Sequence, residues 1–430
     1  MTTADLSLLM EDDRQTGSTF FANVTLMCAW IIMLFVFYLP DRDAVISIGG
    51  MDLLATGKAL SRVGSLGLLL ALNLMMTRQV QIRVIFFYMG GFFVFLAWSL
   101  LSVTWSALPT ISSGQVLSLS VMMVLGATIA RIVETNDDAR IVLTHLSMIL
   151  LLRAVIMVIC WSMTGGVGVS REENSFFHST DAAETSTLGM LVLTVAHLGF
   201  PTRVSRLLYF PGILVFLATF IIAQNRLSLV ITPPLLLATM LMNGNRKAIL
   251  VLCFLGCVAV PAYMLCDPGL ENVSRALGQT EEFAMRSGGD ETVSTLSGRT
   301  ELWEAIWEHY VQSPIIGLGY FVTSTTGELN VWGATHNYTA HNQLFQVLAT
   351  TGIIGLAIFL LAMVIPARLL LSKAIENSSA GRAARSLGVI FLWLIMWGFL
   401  NSSFNGPIGS SSVVFWCIIG VTIGRLRQND

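Results

Sequence analysis

The sequence predicts an all-α, polytopic integral membrane protein, and three observations support this. Of its 430 residues, 54% are hydrophobic and only 12% are Asp, Glu, Lys or Arg, whereas soluble domains carry about 25% charged residues. The mean hydropathy is +0.74. Apolar runs long enough to cross a hydrocarbon core about 30 Å thick as a single helix recur along the chain. A soluble enzyme is therefore excluded, and a net charge of −2 argues against a nucleic-acid partner.

Apolar runs bounded by charge, Pro or Gly predict about 12 transmembrane helices in a single transmembrane domain that covers residues 1–430. Acidic residues precede the first run, so we expect a spanning helix there and not a cleavable signal. Two consecutive prolines, Pro233 and Pro234, predict a kink in the eighth span. The predicted spans are 20–39, 57–76, 83–104, 113–133, 140–163, 185–200, 206–223, 227–242, 247–265, 344–367, 386–402 and 410–424.

The connections on one side of the predicted bundle hold most of the basic residues. Short loops rich in Lys and Arg stay in the cytoplasm, so both termini are predicted to be cytoplasmic. The opposite connections, which are uncharged or acidic, are predicted to face the periplasm. The residues that set this orientation are Arg78, Arg83, Arg131, Arg140, Arg203, Arg206, Arg246, Lys247, Arg368, Lys373, Arg382, Arg385, Arg425 and Arg427.

A long outer connection, residues 266–342, separates the ninth and tenth predicted spans. An excursion of this length is commonly functional or disordered. Its segment "RTELWEAIWEHYVQS" predicts a short amphipathic helix that ends before Pro314. We expect this helix to lie on the bilayer surface or to cap the bundle as a solvated lid. Its apolar stripe is predicted to consist of Trp303, Ile306, Trp307, Tyr310 and Val311.

Ionisable residues near the spans are candidate functional residues, because burying them in lipid is costly. Arg153 is the one charged residue in the middle third of a predicted span; a structural role, as partner of a polar group on a neighbouring helix, is the alternative. Arg226 lies in a tight outer turn, where the charge bias disfavours Arg. Arg299 opens the predicted amphipathic helix, at the end of the helix dipole that attracts anions. For both outer arginines, an anionic ligand and a salt bridge remain open as explanations.

Two histidines precede the tenth predicted span. His341 lies at the start of that helix, where the dipole favours the neutral imidazole, and the unperturbed pKa of about 6.5 suits a base near neutral pH. His336, five residues earlier, is the competing candidate. His145 and His197, near the ends of other spans, are expected to be packing residues.

The evidence for a metal or disulfide site is weak. Asp41 and Asp43 have the D-x-D spacing that some glycosyltransferases use to bind a divalent metal, but two acids in one loop are readily explained by chance. The six cysteines include no C-x-x-C pair, so we predict neither a zinc site nor a disulfide framework. The glycines of "GLGY", Gly317 and Gly319, are expected to form a turn and not a nucleotide-binding loop.

Three segments in order resemble the bacterial O-antigen ligase and polysaccharide polymerase superfamily. They are "NRLSLV" at a short outer turn, "SGRTELWEAIWEHYVQSPIIGLGYF" in the long outer connection and "AHNQLFQVLATTGIIGLAIFLLAM" leading into a span. The resemblance covers about residues 215–365, and the rhizobial-type exopolysaccharide polymerases are the subset that the chain resembles most. The first half agrees only in hydropathy and in the number of spans.

The resemblance implies a twelve-helix glycosyltransferase of the bacterial inner membrane that uses an undecaprenyl-diphosphate-linked oligosaccharide at the periplasmic face, without cofactor or metal. Arg226 and Arg299 match the arginines that hold the diphosphate, and His341 matches the histidine of the "HN" motif that serves as base. A second "HN" keeps His336 as a competitor. The further candidates are Asn342, Arg153 and Tyr320. The implied partners are the lipid-linked donor, a glycan acceptor, the lipid bilayer, and flippase and chain-length regulator proteins.

The chemistry of such a transfer agrees with these residue types. The acceptor hydroxyl needs a base, and guanidinium groups can stabilise a departing diphosphate through bidentate bonds. One direct displacement would invert the anomeric carbon. The leading hypothesis is a polymerase of lipid-linked repeat units, and the alternative is a ligase that transfers a finished glycan to lipid A core or to protein. A transporter of polysaccharide precursors would need polar groups at the midplane and internal repeats, and neither is evident in the sequence.

Overall fold

The computed structural model describes residues 47–48, 51–75, 79–165, 169–170, 177–223, 225–243, 299–331, 334–399, 401, 404 and 407–427. The predicted first and ninth spans, 20–39 and 247–265, lie outside the described residues. So do Asp41 and Asp43 and the first part of the long outer connection, residues 266–298.

The described chain is mostly helical. Its helices are α1 (Leu53–Met75), α2 (Gln79–Leu101), α3 (Pro109–Ile132), α4 (Asn136–Met163), α5 (Ser179–Leu198), α6 (Arg203–Ala223), α7 (Arg226–Met242), α8 (Arg299–Tyr310), α9 (Gln343–Ala374), α10 (Ser379–Gly398) and α11 (Ser410–Leu426). A 3₁₀ turn, Ser102–Trp105, follows α2. Three minimal sheets pair β1 (Ser47–Ile48) with β2 (Met51–Asp52), β3 (Val169–Ser170) with β4 (Phe177–His178) and β5 (Leu329–Val331) with β6 (Ala334–His336). The first and third pairs are antiparallel and the second is parallel.

Ten of the predicted spans coincide with described helices, from α1 to α7 and from α9 to α11. Six helical segments in the described residues are long and apolar enough to cross a membrane, judged by length and composition: Arg83–Trp105, Pro109–Ile132, Asn136–Met163, Arg203–Ala223, Gln343–Ala374 and Ser379–Gly398. The prediction of an all-α membrane protein is confirmed at this level, while the count of twelve stays a prediction.

Helix α10 begins earlier than the predicted span at 386–402. It starts at Ser379, after an N-cap in which the side chain of Ser378 accepts a hydrogen bond from the backbone N–H of Gly381. The predicted span began after the charged residues Arg382 and Arg385, but both belong to the first two turns of the helix. Charge limits the part of a helix that lipid can cover, whereas capping determines where the helix begins.

Helix α11 lies at the centre of the bundle and is buried along nearly its whole length. It packs against α3 so closely that a Cβ at Gly420 would lie 2.5 Å from the carbonyl oxygen of Gly126. Small residues permit this approach of two backbones, which is the usual way in which membrane helices pack tightly. Helices α4, α5 and α10 also contact α11, so the core lies around this helix.

Helix α9 is broken at Gly352, whose φ of 68° and ψ of −174° are not helical. The loop that follows α8 fills the break: the N–H of Gly319 donates to the carbonyl of Thr350 at 3.0 Å, and the N–H of Ile353 donates to that of Pro314 at 3.0 Å. The predicted turn at Gly317 and Gly319 is present, with φ of 76° and 105°. A hydrogen-bonded loop therefore holds the first turns of α9 at an angle to the rest.

The short helix α8 caps the bundle end by packing on β5 and α9. Its buried side consists of Leu302, Ile306 and Tyr310. Two residues of the predicted apolar stripe, Trp307 and Val311, are not covered by the rest of the protein and are 50% and 51% exposed. Because β5 and α9 pack against the side of α8 that includes Leu302, Trp307 points away from the core.

Candidate active site

His341 lies in a strained turn at the start of α9. Its φ of 47° is left-handed, which is rare for a residue other than glycine and costs about 1–3 kcal/mol. The backbone on both sides is held in place. The N–H of Ala340 donates to Oε1 of Gln346 at 2.6 Å. The next residue, Asn342, caps α9 by accepting from the N–H of Phe345 at 3.0 Å and donates through Nδ2 to the carbonyl of Phe399 at 2.9 Å. Strain held by several bonds is typical of functional positions.

The environment of His341 keeps its imidazole neutral. Burial, the positive charge of Arg299 and the proximity of His178 lower the pKa of His341 to about 4. The ring is therefore unprotonated at neutral pH and can accept a proton. Burial disfavours the imidazolium, and a neighbouring cation disfavours it further.

Three segments distant in sequence build this cluster. Arg299 is the first residue of α8, and His341 precedes α9. His178 is the N-cap of α5, where its Nδ1 accepts from the N–H of Thr180 at 3.2 Å. His178 was not among the candidate residues predicted from the sequence. The sequence feature that could have identified it is its position in the outer segment "SREENSFFHSTDAAE", directly before a predicted span.

The competing histidine, His336, lies elsewhere. It is exposed at the end of β6, and its ring contacts the ring of Tyr338 with centroids 5.7 Å apart. The groups that lower the pKa of His341 are Arg299 and His178, not His336. The structure thus brings together Arg299 and His341, while His336 faces solvent.

Arg226 is the first residue of α7, after the N-cap Asn225. Its side chain lies outside the described residues, so only its backbone position is known. At the far end of α7, Asn243 Oδ1 lies 3.1 Å from the hydroxyl of Ser386, near the start of α10. Helix α10 ends beside Asn342, where Phe399 accepts its hydrogen bond. Arg226 therefore begins its helix at the same end of the bundle as His341.

Arg153 is buried in a polar layer between α4, α5, α10 and α11. Its Nη1 donates to the hydroxyl of Ser410 at 2.9 Å, and its Nη2 lies 4.0 Å from Oδ2 of Asp181. In the same layer the buried carboxylate of Glu184 accepts from the N–H of Ser411 at 2.6 Å and from Nε1 of Trp397 at 3.2 Å. Glu184 was not predicted from the sequence, because it directly precedes the apolar run predicted as the span 185–200.

Tyr320 lies in the hydrophobic core and is 2% exposed. Its ring packs against that of Phe95 with centroids 6.3 Å apart. Its backbone N–H donates to the hydroxyl of Ser102 at 2.9 Å, and its carbonyl accepts from the hydroxyl of Ser112 at 2.7 Å. These contacts attach the loop after α8 to the region between α2 and α3.

In the part of the chain that the structure describes, no group of three or more His, Cys, Asp or Glu side chains has the arrangement of a metal site. Asp41 and Asp43 lie outside that part. Independence of metal therefore stays a prediction. Within this cluster, His341 can accept a proton and Arg299 can attract an anion.

A comparison with protein families agrees with the segments named in the sequence analysis. Residues 211–360 match the model of the O-antigen ligase family. The match spans most of α6, all of α7 and α8 and the first half of α9, and it includes Arg226, Arg299 and His341. No curated protein matches the chain.

The resemblance to the O-antigen ligase and polysaccharide polymerase superfamily is confirmed by this match. The match over residues 211–360, together with the apolar helices, supports a multi-pass membrane enzyme of O-antigen or polysaccharide assembly. The family implies glycosyl transfer and lipid-linked glycan substrates.

Proposed function

We propose that the protein is a polymerase that joins undecaprenyl-diphosphate-linked oligosaccharide repeat units at the periplasmic face of the bacterial inner membrane. The observation that carries the proposal is the proximity of a neutral, partly buried His341 to Arg299 in the segment that matches the O-antigen ligase family. A base and an anion-binding group are the two elements that transfer from a lipid diphosphate requires.

The transfer is a single displacement. The acceptor hydroxyl oxygen attacks the anomeric carbon of the donor sugar and forms the new glycosidic bond. The bond from that carbon to the diphosphate oxygen breaks, and its electron pair leaves with the diphosphate. The hydroxyl proton passes to the imidazole of His341 and then to solvent. Attack opposite to the leaving group inverts the anomeric carbon, and no cofactor takes part.

Arg299 and Arg226 are proposed to bind the diphosphate. A guanidinium can form two parallel hydrogen bonds to phosphate oxygens and keeps its charge at every physiological pH. Arg299 also raises the proportion of neutral His341, because its charge lowers the pKa of that residue. Each of the helices α5, α7, α8 and α9 begins at this end of the bundle, where the positive ends of their dipoles favour an anion.

The second candidate function is a ligase that transfers a finished lipid-linked glycan to lipid A core or to protein. The description of the matching family as O-antigen ligase favours it. Both reactions use the same donor chemistry and differ in the acceptor. The size of the product therefore separates them.

The test is complementation of a deletion strain with the wild-type gene, His341→Ala or His336→Ala, followed by separation of surface glycans and lipid-linked precursors by size. For the polymerase we expect single repeat units to accumulate on the carrier lipid in the deletion strain and with His341→Ala. Removal of a positioned base lowers the rate about 10²- to 10⁴-fold. His336→Ala, the matched control, should restore long chains.

Two other results would change the assignment. Long chains that accumulate on the carrier without being attached would favour the ligase. Unchanged glycans in the deletion strain would contradict both enzymatic functions and favour transport of precursors. Immunoblots of membrane fractions must show equal amounts of each variant.

A further inference from the structure

A cavity of about 400 Å³ opens beside the candidate active site. One wall is α8, which contributes Thr300, Trp303, Glu304 and Trp307. These positions follow the i, i+3, i+4, i+7 spacing of one helix face. The opposite wall is formed by Asn342 and Phe345 at the start of α9. The volume lies in the range of small-molecule sites, about 300–1,000 Å³.

Aromatic rings line this cavity in fixed orientations. Trp307 and Phe345 are stacked, with ring centroids 6.4 Å apart and planes at 28°. Trp303 meets Phe345 edge to face at 6.3 Å, and its Nε1 donates to the carbonyl of Ala340 at 2.7 Å. Trp307 nevertheless remains 50% exposed. A large apolar ring is thus held in place with part of its surface uncovered.

The polar groups of the cavity indicate the charge of its occupant. Both side-chain ends of Asn342 already have backbone partners, Phe345 and Phe399. Glu304 is exposed and on the same helix face as the two tryptophans. A carboxylate repels a diphosphate and is costly to cover with a lipid chain. An uncharged occupant with one apolar face can stack on the rings, and its hydroxyl groups can donate hydrogen bonds to the carboxylate. A sugar ring has both features.

The position of the cavity connects it to the transfer. Thr300 follows Arg299, and Asn342 follows His341. We propose that the cavity binds a sugar ring of the glycan acceptor, with Trp307 and Trp303 as the stacking surface and Glu304 as a hydrogen-bond acceptor. This places the acceptor hydroxyl on the His341 side of the cavity and leaves the Arg299 side to the donor diphosphate. The inference rests on the proposed function, because it takes glycan transfer as the reaction.

The test uses the full-length protein in lipid nanodiscs and two probes. The first is the free repeat-unit oligosaccharide released from the native lipid-linked precursor by mild acid, and the second is undecaprenyl diphosphate without sugar. Titration calorimetry measures the Kd of each. Trp307→Leu should weaken oligosaccharide binding roughly three- to tenfold, as expected for loss of an aromatic contact, and leave the undecaprenyl diphosphate Kd unchanged.

Two further variants complete the design. Glu304→Gln keeps the size of the side chain and should also weaken oligosaccharide binding, because an ionised acceptor forms the stronger hydrogen bond. Trp161→Leu is the matched control: Trp161 is 40% exposed near the end of α4 and does not line the cavity. It should bind both probes as the wild type does.

The proposal is overturned if the wild type does not bind the oligosaccharide, or if Trp307→Leu and Glu304→Gln bind it normally. It is also overturned if Trp307→Leu weakens undecaprenyl diphosphate binding instead, which would assign the cavity to the lipid chain. Failure of the proposed function gives a different result. In that case His341→Ala retains transfer activity, whatever the tryptophan variants bind.

Discussion

At the scale of single residues, His341 combines a costly backbone conformation with a pKa set by its neighbours. The turn is held by Gln346 and Asn342, while Arg299 and the burial of the ring keep the imidazole neutral. Neither feature helps the chain to fold. A left-handed residue is unfavourable, and the surroundings of the ring disfavour its charged form, so the position is better explained by chemistry than by stability.

The pH dependence of activity tests the state of His341. Because its pKa is lowered to about 4, the neutral base predominates above that pH. We expect kcat/KM to stay level from pH 7 to about pH 5 and to fall as the pH decreases through about 4, since kcat/KM reports the free enzyme. The measurement is transfer of labelled lipid-linked precursor in nanodiscs. A fall centred near pH 6.5, the ordinary value for histidine, would contradict the prediction. Return of each sample to pH 7 checks that the loss is reversible.

Replacement of Arg299 by lysine tests the guanidinium. Lysine keeps the charge but lacks the planar fork that binds two phosphate oxygens. We expect Arg299→Lys to lower kcat/KM for the donor by about 10²-fold or more, as for loss of a group that faces developing charge. Arg382→Lys, at an exposed position in the first turn of α10, is the matched control and should be fully active. If Arg299→Lys is fully active, the positive charge at this position is sufficient and the planar guanidinium is not required.

At the scale of secondary-structure elements, the break in α9 positions the candidate site. The loop after α8 donates and accepts backbone hydrogen bonds at the break, so α8, the loop and the first turns of α9 form one unit. Within this unit, Arg299 begins α8 and His341 directly precedes Asn342, the N-cap of α9. The unit explains why the segments named in the sequence analysis occur together: the "GLGY" glycines fill the gap that the glycine of "TTGIIG" opens.

Substitution of Gly352 by alanine should disrupt this unit. The φ of 68° is unfavourable for alanine, and its Cβ would lie 2.2 Å from the carbonyl oxygen of Ile315. We expect the free energy of unfolding to fall by about 1–3 kcal/mol and the apparent melting temperature in detergent to decrease. Transfer activity should be lost as well. Gly388→Ala is the matched control, because nothing lies within 4 Å of a Cβ at that position of α10. There alanine should be neutral or stabilising. Equal melting temperatures for the two variants would contradict the prediction.

At the scale of the whole molecule, the helix starts that carry His178, Arg226, Arg299 and His341 share one end of the bundle. The distribution of basic residues predicts that this end faces the periplasm. The buried polar layer of Arg153 and Glu184 lies between the helices α4, α5, α10 and α11. The arrangement suits a reaction at one membrane surface better than passage of a solute through the bundle.

Cysteine labelling tests this orientation. Thr326 and Asn377 are both exposed, the first in the loop after α8 and the second between α9 and α10. We expect an impermeant maleimide to label Thr326→Cys in intact spheroplasts, and to label Asn377→Cys only after permeabilisation. The wild type, with its native cysteines, gives the background. The reverse pattern would place the candidate site in the cytoplasm and contradict the proposed use of a periplasmic donor.

The sequence by itself determined the membrane class, the ten described helices predicted as spans, the short helix α8 and the three segments that match the family. Long apolar runs and loop charge are local properties that need no knowledge of packing. It also selected His341, Arg299 and Arg226 as candidates, with the first preferred to His336.

Only the tertiary structure decided which groups surround His341 and which side of α8 is buried. His178 and Glu184 are remote from the matched segments in sequence, and they reach the site or the polar layer beneath it through helix packing. The pKa of His341 depends on burial and on Arg299, and the exposure of Trp307 depends on the surface that α8 meets. These properties arise from contacts between distant segments, which residue patterns along the chain do not contain.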